Sequence, residues 1–309
     1  MSSPVARLTS WFALHCTILL AACGSGGGDQ SCTVDSDCAS HFCRADGTCG
    51  PAADDPDGGM GSGSGSGSGS NNDLCTPNHD GTISADEVPL AAGKMANFRV
   101  ATDATWNTAG AAGSGNERTW DLTGALSNDS DGPTTLTGPT NEWWKGDSGF
   151  AGASYYTQLA AGSDLLGVFK VDSNGVTLLG VVSPTKTATY TEITYDPPAT
   201  ILKVPMKASD SWTSSSSVVG YYSGSYVNYT EVYTSNVDQS GTMKTPYGEF
   251  PVLRIGTVLQ QKQLGSTYNT VRNYAWMAEC FGTVAKVSSQ NNESNAEFSD
   301  DAEVRRIIP

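Results

Sequence analysis

The chain has 309 residues, with 32 aspartate and glutamate side chains against 17 lysine and arginine and a formal net charge of −15 at pH 7. With no arginine-rich segment and no basic face to neutralise phosphates, that balance excludes a nucleic-acid partner. Three histidines occur, none after His79, so residues 80–309 lack the imidazole required by serine–histidine and cysteine–histidine nucleophile pairs and by His-ligated zinc catalysis.

At the N-terminus, Arg7 and the α-amino group precede an apolar run from Trp11 to Leu14 and from Thr17 to Ala22. The run is shorter than the ~20 apolar residues of a membrane-spanning helix, and it predicts a secretory signal over residues 1–22. It ends in Leu20-Ala21-Ala22-Cys23, which resembles the lipobox of bacterial lipoproteins. The resemblance implies that Cys23 carries a diacylglycerol and that the preceding peptide, including Cys16, is removed. The expected partner of this end is therefore a membrane, through the lipid. Gly24 and Ser25 differ from the aspartate retention signal of enteric inner-membrane lipoproteins, which points to the outer membrane or cell surface.

Residues 23–31 form a glycine-rich tether without side chains able to pack. Cys32, Cys38, Cys43 and Cys49 then fall in a short polar module, residues 32–50, that cannot bury a core. Their spacing lacks the close pairs of structural zinc sites, so two disulfides are expected over a metal, with three pairings open. Residues 51–73 contain acidic positions and five Gly-Ser repeats. As a flexible coil of about 23 residues they would span roughly 25 to 30 Å root-mean-square. Residues 23–92 hold eleven acidic side chains against one basic, and residues 93–309 hold twenty-one against fifteen.

Residues 74–92 contain Thr76-Pro-Asn78-His-Asp80-Gly81-Thr82-Ile83-Ser84-Ala-Asp86-Glu87, which looks like an EF-hand calcium loop. Asn78, Asp80, the Thr82 carbonyl and Glu87 stand at ligand positions, and Gly81 at the sharp turn. Thr76 replaces the family's first aspartate, no helix-forming pattern precedes it, and Pro89 falls where the exiting helix would run. Calcium binding would then be weak, in the ~10⁻⁴ to 10⁻³ M range of extracellular modules. The alternative is a polar turn leading into the next domain.

Residues 93–309 alternate Val, Ile, Leu, Tyr and Thr with turn residues, predicting an all-β domain that is either an antiparallel sandwich or a half-open barrel. The clearest hairpin joins Leu165–Val171 to Val176–Val182, with Asn174-Gly175 supplying positive φ angles. Tyr226–Val237 places Val227, Tyr229, Tyr233 and Val237 on one face, and Phe250–Gln260, Tyr268–Ala278 and Thr283–Ser288 continue the pattern. The stretches CTPNHDGTISADEVPL, DLLGVF, TEITYDPP, TPYGEFPVLRI and AECFGTVAKVSS resemble uncharacterised exported lipoproteins predicted from myxobacterial genomes, over most of residues 74–309. That resemblance implies no reaction. PPATILKVPMKASDSW followed by TPYGEFPVLRI is similar to β-rich bacterial envelope proteins with curved, half-open sheets like lipoprotein carriers.

Once Cys16 is removed and Cys23 acylated, Cys75 and Cys280 remain outside the cysteine module, and a bridge between them is expected. For catalysis, only paired carboxylates are left, from Asp164, Glu192, Asp196, Glu231, Glu249 and Glu279. None forms a recognisable constellation, so no catalytic residue is assigned and a carboxylate-dependent hydrolase is the lesser alternative. The main expectation is a non-catalytic binding or structural protein that meets a protein, glycan or lipid; the chief alternative is a carrier of an apolar ligand. Aromatic side chains supply the contact surface, above all the neighbours Trp143-Trp144 and Tyr221-Tyr222, because a strand sends adjacent residues to opposite faces.

Overall fold

The computed structural model describes residues 75–309 except 114 and 116. The expectations for the signal, Cys23, the tether, Cys32, Cys38, Cys43, Cys49 and the linker lie outside the described residues. Within them, Cys75 and Cys280 are joined in a disulfide. No helix among the described residues is long and apolar enough to cross a membrane.

Among the described residues sixteen strands follow one another, interrupted by two short 3-10 turns, Ala85–Glu87 and Ser148–Phe150. In chain order they are β1 (Thr82–Ile83), β2 (Met95–Thr105), β3 (Ala111–Ala112), β4 (Arg118–Asp121), β5 (Asp129–Thr135), β6 (Tyr155–Gln158), β7 (Leu166–Asp172) and β8 (Gly175–Val182). Then come β9 (Glu192–Lys203), β10 (Met206–Lys207), β11 (Ser211–Tyr222), β12 (Ser225–Lys244), β13 (Glu249–Gln263), β14 (Ser266–Ala278), β15 (Gly282–Ser289) and β16 (Asp300–Ile307). Twelve of them run side by side in the order β5-β2-β16-β15-β14-β13-β12-β11-β9-β8-β7-β6, every neighbour antiparallel. Just past β5, Thr137 bridges to Tyr156 of β6 and brings the two ends of the sheet together. The result is a nearly closed antiparallel barrel-like sheet, the barrel alternative of the two architectures.

β12 is the longest strand, at 20 residues, and no single neighbour covers it. β11 pairs with it as far as Asn236, and beyond a bulge at Val237 the short β4 pairs in parallel from Gly241 to Lys244. Gly241 is required there, because a Cβ would meet the Arg118 carbonyl oxygen at 1.9 Å.

Alternation decides what fills the interior. Val227, Tyr229, Tyr233 and Val237 of β12 are all buried, as their spacing implies, and so is Glu231 between them. Glu231 accepts hydrogen bonds from the Tyr195 hydroxyl at 2.9 Å and the Gln261 amide at 2.9 Å, and from the Tyr233 hydroxyl. Burial raises its pKa against the pull of those donors. The Leu166–Val182 hairpin forms as expected, but its turn is Ser173-Asn174, with Asp172 paired to Gly175 and only Gly175 at positive φ. The Asp172 carboxylate braces it by accepting the Asn174 amide at 2.8 Å, which removes the need for a left-handed asparagine.

β16 is a strand buried on both faces despite its charges. Arg305 pairs with Glu303, and Arg306 reaches Asp129 at 2.6 and 2.9 Å. Burial disfavours the Glu303 charge, yet Arg305, Lys286 and the Ala161 amide together hold its pKa down to about 2. Asp301 has no such partner: its Oδ2 accepts the Trp106 amide at 2.8 Å, and burial, helped by the Asp300 carboxylate, pushes its pKa up from 3.8 to about 7. A raised aspartate contributes stability in its protonated form, present in full below the unfolded value and lost as pH rises through the folded one. Asp301→Asn keeps an acceptor for Trp106 and should remove this dependence. Its stability gain over wild type is therefore expected to widen from about pH 4 to about pH 7, by at most on the order of 4 kcal/mol, and to stay level above. Urea denaturation across that range checks it, and a pH-independent gap would contradict it.

Candidate functional site

The β11–β12 hairpin ends in Ser223-Gly224, and both residues have positive φ, 48° and 77°, as a two-residue turn matching the strand twist requires. This turn is docked on the loop before β9: the Gly224 amide donates to the Tyr190 carbonyl at 2.9 Å, and the Ser223 amide to the Thr191 hydroxyl at 3.1 Å. A Cβ on Gly224 would stand 3.0 Å from the Ala188 carbonyl oxygen, so glycine sets the closeness of the contact.

Docking brings four rings into a chain. Tyr221 and Tyr226, cross-strand partners, have centroids 6.0 Å apart; Tyr221 lies 5.7 Å from Tyr190, and Tyr190 lies 5.8 Å from Trp143. Trp143 is fixed by donating its Nε1 proton to the Ser183 carbonyl at 3.0 Å. Lys186 Nζ stands 4.9 Å from the Trp143 ring and 5.2 Å from Tyr190, and 3.8 Å from the Glu192 carboxylate. The outer rings are open to solvent, Tyr221 at 44% and Tyr226 at 62%. The β13–β14 turn at the same end of the sheet adds Leu264 and Tyr268, so four of the five exposed large hydrophobic residues among the described residues gather here; Met95 lies at the opposite end.

Trp144 is the inward member of its pair, packed against Phe150 at 5.3 Å and Tyr156 at 5.7 Å in a small core with Val168, Leu179 and Val182. Tyr222 is half-buried against the main core, and burial raises its hydroxyl pKa. Trp143 and Tyr221 are thus the parts of the expected surface brought together. Tyr190 and Lys186 escaped sequence reasoning, since a lone tyrosine in TKTATYTE has neither an adjacent ring nor a period to mark it.

The calcium-like loop uses its oxygens locally. Asn78 accepts the Asp80 amide at 2.9 Å, Asp80 accepts the Thr82 amide at 2.7 Å, and the buried Glu87 accepts the Ser84 amide and hydroxyl at 2.9 and 2.8 Å. Thr82 itself lies in β1, paired with Lys207 of β10. Among the described residues, no three His, Cys, Asp or Glu side chains converge on a metal-sized site. Of the six acids considered for hydrolysis, Glu231 is sealed inside the sheet, Glu192 faces Lys186, and Glu249 and Glu279 line one cleft at the far end. No family model, curated protein or solved structure matches the chain.

Proposed function

We propose that the chain is an exported, lipid-anchored protein whose β domain binds a protein partner without chemistry, through Trp143, Tyr190, Tyr221 and Tyr226. The observation that carries this is the exposure of Tyr221 and Tyr226 at the outer end of a ring chain whose inner end is clamped. Pre-fixed rings lose little conformational freedom on binding, and tyrosine offers apolar area with a polar edge. The tip reads Gly-Tyr-Tyr-Ser-Gly-Ser-Tyr-Val-Asn-Tyr over residues 220–229, the Tyr, Ser, Gly and Asn mixture that serves antibody loops in protein recognition. Successive rings are turned by 88°, 40° and 75°, which supports an irregular protein surface over a flat polysaccharide ribbon.

A carrier holding its apolar ligand between the strands would need a roomy void there, apart from the cleft of about 560 Å³ at one end of the sheet. The void bounded by Leu202, Ile255, Met277 and Lys286 is about 40 Å³. That is space for about one water, well below the ~300 Å³ at which ligand pockets begin.

Replacing the two outer rings together, Tyr221→Ala with Tyr226→Ala, is expected to weaken partner binding by at least about tenfold while the melting temperature stays near wild type, because neither ring is in the core. Surface-plasmon measurements on the partner retained from an envelope fraction read this; unchanged affinity, or a variant that unfolds, would overturn the assignment. For the anchor, Cys23→Ser is expected to release the chain from membranes or stall its processing. A variant that fractionates and migrates like wild type would contradict lipidation.

A further inference from the structure

At the end of the sheet opposite the tyrosine hairpin lies a cleft of about 560 Å³. Four parts of the chain wall it: residues 77–83, Glu117 just before β4, the β12–β13 turn with the strand ends beside it, and the β14–β15 turn. The first turn is closed by reciprocal Thr245 and Gly248 amide-to-carbonyl bonds of 2.9 and 3.1 Å, and the second is tied back by the Cys280 amide donating to the Glu87 carbonyl at 2.8 Å. Both walls are therefore held in place before any ligand arrives.

One side of the cleft is aromatic. Tyr247, Phe250 and Phe281 touch one another pairwise, with centroids 4.9 to 5.9 Å apart. The other side is acidic: Glu117, Glu249 and Glu279 line it, and no lysine or arginine does. Glu249 is paired with Lys244 at 2.8 Å. Glu279 accepts the His79 amide at 2.8 Å, stands 3.7 Å from His79 Nδ1, and is only 11% exposed. A shielded carboxylate beside π faces attracts a cation more strongly than either group would in open water.

We propose that this cleft binds an organic cation, an ammonium group carried on an apolar body, with Tyr247, Phe250 and Phe281 meeting the body and Glu279 and Glu117 meeting the charge. The chain's own residues 51–73 are the wrong occupant, since they hold four aspartates and no lysine or arginine. Anionic amphiphiles are repelled for the same reason. The cleft volume suits a small molecule or a single cationic side chain of a larger one.

Isothermal titration of the full chain with benzyltrimethylammonium, benzyl alcohol and phenylacetate separates charge from apolar body. Saturable binding of the cation is expected at least about tenfold tighter than benzyl alcohol, with no binding of phenylacetate. Raising salt from about 0.05 to 0.5 M should weaken the cation severalfold and leave benzyl alcohol unchanged. Glu279→Gln and Glu117→Gln should each weaken the cation about three- to tenfold. If Glu279→Gln disturbs folding, the exposed Glu117 variant and the salt series still decide. Absence of cation binding, equal affinity for benzyl alcohol, or indifference to both carboxylates and salt would overturn the proposal, and none of these outcomes bears on the tyrosine hairpin.

Discussion

Two reciprocal amide-to-carbonyl hydrogen bonds of 2.9 Å between Thr137 and Tyr156 join the ends of the long sheet, and the rest of the architecture follows from that closure. An open sheet of this size would present two rows of unpaired amides, an invitation to edge-to-edge association. Near-closure at this bridge brings the two edges together and gives the strands an inside and an outside. Exposed rings and a cleft gather at the two ends of the sheet. The tyrosine hairpin occupies one end and the acidic, aromatic cleft the other.

Closure also forces charges indoors. Arg254 is 2% exposed and sits between Tyr274, 4.1 Å from its ring, and Trp120, while its guanidinium binds Asp238 and Glu297 through paired contacts of 2.7 to 3.1 Å. A fifth bond, 2.8 Å to the Thr108 carbonyl, ties β13 to the segment after β2. Burial works against the charge, but the two carboxylates raise the arginine pKa overall. Such a cluster adds little net stability compared with apolar packing, and removing one member costs several kcal/mol. Its consequence is register: Arg254 finds all its partners only when β13 is correctly aligned.

Much of the fold was legible in the residues. The alternation through Tyr226–Val237 and the runs at Phe250, Tyr268 and Thr283 became β12 to β15, since period-two burial acts on each strand locally. β16 left no such signal, because Asp-Asp-Ala-Glu-Val-Arg-Arg-Ile looks solvated until Asp129 reaches Arg306 across the fold and Glu303 and Arg305, two apart on the same strand, pair with each other. Glu231 was hidden for a related reason: its donors Tyr195 and Gln261 come from other strands, and a carboxylate amid tyrosines looks exposed in sequence. At the site, Trp144 is buried and Trp143 half-buried, but the two lie in a turn before Ser148–Phe150 and not in a strand, so the alternation expected to separate them does not act there. Tyr190 entered through backbone bonds from the hairpin turn, a contact no local pattern encodes.

A photoreactive phenylalanine placed at position 226 of the intact chain, with the same residue at the equally exposed but opposite position of Met95 as control, tests protein recognition by the hairpin end most directly. Irradiation in the envelope should give one discrete protein adduct from position 226 and none from position 95. Adducts of equal yield from both positions, or an adduct from 226 made of lipid or polysaccharide alone, would contradict it.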